Sequence, residues 1–295
     1  MRAAAVVVRW RGGDEVDRCL RSLLDHGGAR LGRIVLVDSG SGDGGAERLA
    51  SAFPQVEVLA LPDNRSFAHA ANRGADACDE ELLLLLNPDT ELGADSLDTL
   101  IGGLENSPDA AGVVPLLVGA DGRPQHRWQL RRLPTAVRLG AGLAGAPACR
   151  QPPPIPALVP QPAAAAWLVR RELWAALDGL DEAFTPAWWE DADFCARLAG
   201  RLGDPSLPAD TGFVVVPTAR ITHRGGSSVA ELGDAAFLAA WTRNLVRYAR
   251  RHHPGRAGAI VAGLRLSLLG RAALRPARSG AYLAARRALP RRGAS

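Results

Sequence analysis

Residues 82 to 90 read Leu-Leu-Leu-Leu-Leu-Asn-Pro-Asp-Thr, and this stretch decides the fold class. Five leucines are too few to cross a membrane, and they predict a strand buried on both faces, as in the middle of a parallel sheet. Pro88 cannot continue a central strand, so Asp89 should lie at the strand's carboxyl end, where open α/β sheets bind ligands. A carboxylate there suits a hard divalent cation, although Asn-Pro-Asp is also an ordinary turn sequence.

The chain around this stretch alternates between strand and helix patterns. The patterns predict strands at residues 3–8, 34–37, 56–61, 82–86 and 112–117, and helices that include residues 16–24, 46–53 and 67–77. This alternation predicts an α/β fold with a mostly parallel central sheet flanked by helices. Residues 140–162 are rich in Gly, Ala and Pro and predict a long irregular loop. No G-x-G-x-x-G fingerprint follows the first strand, which argues against a dinucleotide-binding domain.

Composition limits the class of protein. The chain has 295 residues, 47% of them hydrophobic, which is ample for a large globular core. Its four cysteines form no C-x-x-C pair, and no signal-peptide pattern precedes the first strand. We therefore expect a cytoplasmic protein with reduced thiols.

The charge is distributed unevenly. Residues 231–295 carry a net charge of +11, whereas residues 1–230 carry −7, which predicts a main domain followed by a basic helical extension. In that extension, residues 259–274 are apolar but contain Arg265 and Arg271. Such a helix could lie on an anionic membrane surface or pack against the main domain. Clustered arginines also attract nucleic acid, but the acidic main domain and the lack of a reader motif argue against that class.

A second polar cluster follows at Trp188-Trp189-Glu190-Asp191. Two tryptophans beside acids are costly to place in a core, and they indicate a binding surface. Asp191 opens a helix pattern whose N-terminus favours the ionised carboxylate that a general base needs; an acidic cap on a core helix is the structural alternative. His223 follows the strand-like residues 214–216 and is either structural or a metal ligand.

These motifs occur in a fixed order along the chain. They are Val37-Asp38-Ser39-Gly40-Ser41-Gly42-Asp43-Gly44, Asn64-x-x-Phe67-x-x-Ala70-x-Asn72-x-Gly74, Leu86-Asn87-Pro88-Asp89-Thr90, Leu168-Val169-Arg170-Arg171, Gly179-Leu180-Asp181-Glu182-x-Phe184, Glu190-Asp191-x-Asp193-x-Cys195, His223-x-x-Gly226-x-Ser228 and Arg243-Asn244. The ordered set resembles the family-two glycosyltransferases of the bacterial rhamnosyltransferase-like branch. The resemblance implies a GT-A fold over residues 1–230, with residues 231–295 as the basic helical extension.

The resemblance also implies a reaction. A sugar, with rhamnose among the candidates, would move with inversion from a nucleotide-diphosphate sugar to a hydroxyl of a glycan or polyprenyl-linked acceptor in cell-envelope polysaccharide or glycoconjugate synthesis. The cofactor would be a divalent cation, Mg²⁺ or Mn²⁺. The enzyme would be cytoplasmic and peripheral on the inner face of the cytoplasmic membrane, with no nucleic-acid partner. The alternative is a catalytically inactive protein that binds nucleotide sugars.

The resemblance assigns roles to individual residues. It implies that Asp191 is the catalytic base, that Asp38 contacts the nucleotide base, and that Asp89 and His223 hold the metal. The remaining implied donor-binding residues are Ser39, Asn64, Asn72 and Asn87, and the implied acceptor-binding residues are Trp188, Trp189 and Glu190. The sequence departs from the family pattern at Ser39, at Ser66 and at Arg9-Trp10-Arg11, close to the expected donor base and sugar.

Overall fold

The computed structural model describes residues 1–200, 212–225 and 232–290. Gly226 and Ser228 of the His223 motif, and Glu231 at the expected start of the extension, lie outside the described residues. The strands are β1 (Ala3–Arg9), β2 (Leu31–Asp38), β3 (Glu57–Ala60), β4 (Leu82–Leu86), β5 (Thr90–Leu92), β6 (Gly112–Val118), β7 (Leu130–Arg131), β8 (Ala157–Val159), β9 (Gln161–Pro162), β10 (Ala166–Arg170) and β11 (Phe213–His223). The helices are α1 (Asp14–His26), α2 (Gly45–Ala52), α3 (Phe67–Asp76), α4 (Ser96–Glu105), α5 (His126–Gln129), α6 (Ala136–Gly140), α7 (Arg171–Ala176), α8 (Glu190–Gly200), α9 (Asp234–His252), α10 (Ala257–Leu274) and α11 (Ser279–Arg287).

The predicted strand and helix alternation of the first half is confirmed. Within the described residues, nine strands form one sheet in the order β3-β2-β1-β4-β10-β6-β11-β5, with β8 paired to β11. Strands β1 to β4 are parallel to one another, and β6 is parallel to β11. Strand β10 runs antiparallel between β4 and β6, so the sheet is mixed rather than wholly parallel.

The leucine run forms the centre of this sheet. All five leucines of β4 are buried, as predicted; Leu82, Leu84 and Leu86 belong to the apolar cluster on one face of the sheet, and Leu83 and Leu85 to the cluster on the other. Helix α3 approaches β1 closely because residue 74 is glycine. A Cβ atom at Gly74 would lie 2.4 Å from Cγ1 of Val6, which is too close for any other residue.

The chain leaves the sheet at Asn87 and Pro88, as predicted, but it re-enters at once as β5. Strand β5 pairs antiparallel with the end of β11, and Thr90 lies opposite His223. The backbone N–H of Arg224 also donates to the carbonyl oxygen of Asp89, with 3.0 Å between the two atoms. This pairing brings His223 to the carboxyl end of β4.

The prediction of an irregular loop over residues 140–162 was wrong at its end. Residues 157–159 form β8 on the edge of the main sheet, and residues 161–162 form β9, which pairs with β7. Strands of two or three residues have no periodic sequence pattern, and they exist here because each finds a partner strand.

The basic extension packs against the main domain through α9. Leu245 and Tyr248 of this helix are buried in one apolar cluster with Phe184 and Trp189. Helix α10 buries Ile260, Leu264 and Leu268 in the same cluster and exposes its other side. Among the described residues, one helical segment, Pro254–Leu274, is long and apolar enough to cross a membrane, and only 22% of its most apolar stretch is buried.

Candidate active site

Two connected openings lie at the carboxyl ends of the central strands. A narrow cleft is lined by the residues after β1, β2, β3 and β4, among them Trp10, Ser39 and Asn64. A wider cavity of about 610 Å³ lies beside it, between the β4 end, the start of α8 and the first turns of α9. Asn87, Asp89 and Trp188 line both openings and therefore mark the point where the two meet.

Most of the predicted site residues are brought together here. Those that line one or both openings are Ser39, Asn64, Asn87, Asp89, Trp188, Trp189, Glu190, Asp191 and His223. The Ser39 hydroxyl and the Asn64 side-chain oxygen are hydrogen bonded at 3.0 Å in the narrow cleft. Asp38 and Asn72 line neither of the two openings.

Asp38 is occupied by protein partners. Its carboxylate forms a buried ion pair with the Arg9 guanidinium, which also contacts Asp43, with 2.7 Å between Nη2 and Oδ2. Its other oxygen accepts a hydrogen bond from the backbone N–H of Ser41 at 2.8 Å. The departure from the family pattern at Arg9 therefore supplies the cation that holds Asp38 and the glycine-rich loop after β2.

Asn72 connects α3 to the chain before α8. Its Nδ2 atom donates to the carbonyl of Leu180 at 2.9 Å and to Glu182 at 3.2 Å, and its Oδ1 atom accepts from the Leu180 N–H at 3.0 Å. With these three bonds the side-chain amide is engaged within the protein, so Asn72 acts on the site through the segment that it holds.

Asp89 and His223 face each other across the junction of the two openings. The Nε2 atom of His223 lies 3.6 Å from Oδ1 of Asp89, and the Nδ1 atom lies 2.8 Å from Oε1 of Gln125. Gln125 also donates from Nε2 to the carbonyl of His223, which fixes its amide so that Oε1 accepts from Nδ1–H. Burial lowers the pKa of His223 against the opposing effect of Asp89, so the ring is held neutral with Nε2 available.

This pair is suited to a divalent cation. The buried Oδ1 atom of Asp89 has no hydrogen-bond partner among the described residues, and the free Nε2 atom of His223 points to the same place. Two protein ligands fit a cation that takes its remaining ligands from water and substrate phosphates. No group of three or more His, Cys, Asp or Glu side chains arranged as a metal site is present in the described part of the chain.

Asp191 lies in the first turn of α8 and is held by the small sheet of β7 and β9. Arg131 and Gln161 are opposite each other in that sheet, and both donate to Oδ2 of Asp191, at 2.7 Å and 3.1 Å. Opposite residues of an antiparallel pair present their side chains on one face, which explains why both reach the same oxygen. The start of α8 at Glu190, and its buried Phe194, Cys195 and Leu198, agree with the predicted helix pattern.

The wall beside Asp191 is aromatic and contains unpartnered polar atoms. The Nε1 atom of Trp189 and the Oε2 atom of Glu190 are buried without a hydrogen-bond partner in the described ranges. Burial and the neighbouring charge of Asp191 raise the pKa of Glu190 to about 8, so this carboxyl is largely protonated at neutral pH. Phe237 and Trp241 of α9 complete the wall, with ring centroids 4.7 Å from Trp188 and 5.0 Å from Trp189.

Several residues of the cavity were not identified from the sequence as site residues. They are Gln125, Trp128, Arg131 and Gln161. The Trp128 ring stacks on His223, with centroids 5.0 Å apart and planes 13° apart. Gln125, Trp128 and Arg131 lie in a polar stretch, residues 123–132, but its spacing matches no pattern of metal ligands or catalytic groups, so tertiary contacts reveal these residues. Phe237 and Trp241 were not identified from the sequence as site residues either.

Known proteins resemble this chain in sequence and in fold. The sequence model described as "Glycosyl transferase family 2" matches residues 5–150. Two curated relatives, the N-acetylglucosaminyl-diphospho-decaprenol L-rhamnosyltransferases of Mycobacterium tuberculosis strains CDC 1551 / Oshkosh and ATCC 25618 / H37Rv, are each 28% identical over 292 residues. Each match covers 92% of this chain and 90% of the relative.

Solved structures share the fold. A crystal structure of GalNAc-T7 with UDP, GalNAc and Mn²⁺ superposes with a TM-score of 0.60 at 16% identity and covers 84% of this chain. The chain spans about half, 48%, of that solved chain. Residues 1–349 of S. aureus TarS superpose with a TM-score of 0.55 at 14% identity, covering 98% of this chain and 89% of TarS. The predicted GT-A fold and family are thereby confirmed. Residues 5–150 form a family-2 glycosyltransferase domain, and the protein is a glycosyltransferase.

Proposed function

We propose that this enzyme is an inverting rhamnosyltransferase of cell-envelope synthesis that glycosylates a hydroxyl of a polyprenyl-linked glycan. The activity for which the two M. tuberculosis relatives are named supports the sugar and the class of acceptor. One structural observation carries the reaction. Asp89, at the end of the donor cleft, and Asp191, on the aromatic wall, line the same cavity, so a donor and an acceptor can meet between them.

The narrow cleft is the proposed donor site. Ser39, Asn64 and Asn87 supply hydroxyl and amide groups to the nucleotide and sugar. Asp38 acts on the nucleotide base indirectly. Its two carboxylate oxygens already accept hydrogen bonds from Arg9 and Ser41, so Asp38 holds the glycine-rich loop that lies beside the proposed base site. Asn72 supports the same site from behind, through its bonds to Leu180 and Glu182.

Asp89 and His223 are the proposed cation ligands. When bound, a Mg²⁺ or Mn²⁺ ion would offset the negative charge that develops on the departing nucleoside diphosphate. Gln125 fixes the His223 tautomer from the opposite side of the ring, as outer partners of metal-binding histidines do. Both residues come from strand ends that the β5–β11 pairing holds side by side.

Asp191 is the proposed general base. Its carboxylate accepts the proton of the acceptor hydroxyl while that oxygen attacks the sugar carbon that bears the diphosphate. A single in-line displacement inverts the configuration at that carbon and needs no second nucleophile. Arg131 and Gln161 fix Oδ2 of the base, and Trp188, Trp189 and the protonated Glu190 line the proposed acceptor pocket.

The outer face of α10 is the proposed contact with an anionic membrane. Its two arginines turn inward, since Arg265 donates to the carbonyl of Pro290 and Arg271 donates to the carbonyl of Ala141. Leu266 and Leu274 are 70% and 84% exposed on the outer side. An apolar helix face within a basic extension favours binding to the surface of an anionic membrane. A polyprenyl-linked acceptor resides in such a membrane. We accordingly place the enzyme in the cytoplasm, peripheral on the inner face of the cytoplasmic membrane.

The experiment that tests this function is a transfer assay with a panel of nucleotide-diphosphate sugars. The acceptor is a short-chain polyprenyl-diphospho-N-acetylglucosamine, assayed with Mg²⁺, with Mn²⁺ and with EDTA, and the product is identified by mass spectrometry and NMR. We expect transfer of rhamnose with inverted anomeric configuration, and only with a cation present. Tight donor binding without transfer or hydrolysis would instead support the non-catalytic alternative, and transfer of another sugar would refute rhamnose as the donor sugar.

A further inference from the structure

The five residues that precede α8 have an unusual backbone. Trp188 and Trp189 have φ values of +73° and +81°, a region that bulky side chains rarely adopt. Such conformations persist where surrounding contacts hold them, and they cluster at functional sites. Residues 185–189, which we term the Trp loop, continue directly into Glu190 and Asp191, so the direction of this loop sets the position of the proposed base.

Two consecutive residues of α9 bind the Trp loop. The buried Nδ2 atom of Asn244 lies 3.2 Å from the Thr185 carbonyl oxygen, 2.8 Å from that of Ala187 and 3.2 Å from that of Trp188. The Nη2 atom of Arg243 donates to the Thr185 carbonyl at 2.9 Å. Because all of these partners are acceptors, the side-chain nitrogen of Asn244 must face the loop, and one side chain serves three carbonyl groups.

The rest of the Trp loop is fixed from other elements. The Phe67 N–H donates to the carbonyl of Pro186 at 2.7 Å, and the Asp193 N–H donates to the carbonyl of Trp189 at 2.8 Å. All five carbonyl groups of residues 185–189 are therefore hydrogen bonded, three of them by Asn244. Without Asn244, the carbonyls of Ala187 and Trp188 would lose this donor at the point where the backbone is strained.

We propose that Arg243 and Asn244 are positioning residues, which hold the Trp loop so that Asp191 and the two tryptophans face the acceptor. The inference rests on the proposed base role of Asp191. It makes α9 a functional part of the glycosyltransferase rather than an appendage. Neither residue lines the cavity, so both act through the loop that they bind.

Asn244→Asp tests the proposal with almost no change in side-chain size. It replaces an N–H donor with an oxygen that faces three carbonyl oxygens, which should displace the loop. We expect kcat for sugar transfer to fall at least ~10-fold, because the buried amide of Asn244 no longer donates to the three carbonyl groups. The donor Kd should change by a smaller factor than kcat, because Trp188 of the Trp loop lines the donor cleft but Ser39 and Asn64 lie outside the loop. Arg243→Met, at an exposed position, should lower kcat by a smaller factor, and Arg247→Met, one turn further along α9, is the matched control.

A second readout does not depend on activity. In 5-fluorotryptophan-labelled protein, the ¹⁹F resonances of Trp188 and Trp189, assigned with Trp188→Phe and Trp189→Phe, should shift in Asn244→Asp, while that of the core residue Trp167 stays in place. Unchanged loop resonances with kcat within twofold of wild type would overturn the proposal. If Asn244→Asp does not fold, Arg243→Met decides in the same way, by its kcat and loop resonances against Arg247→Met. A wild-type enzyme without transfer activity would refute the proposed function, and the resonances would still decide the positioning role.

Discussion

The guanidinium of Arg131 lies against the carboxylate of Asp191, with 2.7 Å between Nη2 and Oδ2. Both side chains are mostly buried, so the attraction between their charges is screened less than at the surface. The arginine comes from a two-residue strand, and the aspartate comes from the first turn of α8, 60 residues later. A group that no sequence motif marks therefore orients the proposed catalytic base.

Replacing Asp191 with asparagine tests the base directly. The change keeps the side-chain size and removes the proton acceptor, so kcat should fall by roughly 10²- to 10⁴-fold. Donor affinity and melting temperature should change little, because asparagine suits a helix N-terminus about as well as aspartate. Steady-state transfer kinetics and differential scanning fluorimetry measure these effects. Asp98→Asn, in the first turn of α4, is the matched control, and a fully active Asp191→Asn enzyme would refute the base role.

Removing the Arg131 guanidinium should disturb the reaction more than donor binding. In Arg131→Met the Asp191 carboxylate loses its charged partner and one of the two side chains that hold Oδ2, so we expect kcat to fall by roughly 10- to 100-fold, in line with a lost hydrogen bond between charged groups. Donor affinity, measured by isothermal titration calorimetry, should stay near that of wild type. Arg132→Met, at the exposed residue that follows β7, is the matched control. Equal loss of activity in both variants would argue against a specific role for Arg131.

Glu190 should make stability depend on pH. Its pKa is raised from 4.5 to about 8, mainly by burial and also by the charge of Asp191. The folded protein holds this proton more tightly than the unfolded chain, so the stabilising contribution is complete below pH 4.5 and is lost as the pH rises to about 8. The Glu190→Gln variant mimics the protonated form. The melting temperature of wild type should therefore fall relative to that of Glu190→Gln as the pH rises across that interval.

Scanning fluorimetry between pH 4.5 and 8 measures this difference. Glu172→Gln, at an exposed position in the first turn of α7, corrects for the general loss of a carboxylate. A difference between wild type and Glu190→Gln that stays constant with pH would contradict the prediction.

Asp89→Asn should remove the cation-dependent part of donor binding. The amide keeps the shape of the side chain but is a much poorer ligand for a hard cation. With Mn²⁺ present, donor affinity should fall by at least ~10-fold, because the loss of even a supporting group at a metal site has an effect of that size. In EDTA, the variant and wild type should bind the donor alike. Glu91→Gln, which alters an acid paired with Arg18 and Arg224, is the control. Equal wild-type affinity in Mn²⁺ and in EDTA would exclude a role for the cation in donor binding.

The membrane proposal is best tested by point substitutions. Removing residues 231–295 would also remove Leu245 and Tyr248 from the core, so a truncated chain would not report on the surface alone. In Leu266→Ser/Leu274→Ser, partition onto phosphatidylglycerol vesicles should weaken by about 10-fold or more, given the apolar area of two leucines. Ile155→Ser, at a similarly exposed position in another segment, is the control. Unchanged sedimentation of the double variant with vesicles would remove this face from consideration.

The sequence predicted those elements that have a strong local pattern. The leucine run of β4, the β-α alternation and the helix that starts at Glu190 were all recognisable, because hydrophobic periodicity depends on nearby residues. The antiparallel insertion of β10 and the short strands β5, β7, β8 and β9 depend on partners far along the chain. For the same reason Gln125, Arg131 and Gln161 could not be identified, although Asp191, Asp89 and His223 could.

The wall formed by α9 has a consequence for the order of events during synthesis. Chains emerge from the ribosome with the N-terminal part first, so β1 to β4 and the ends of these strands that form the donor cleft are available early. Trp241 and Asn244 belong to the last fifth of the chain. Until they have emerged, the cavity lacks one side and the Trp loop lacks the hydrogen bonds that Asn244 donates. We therefore expect a chain that ends before α9 to lack transfer activity even though β1 to β4 are complete.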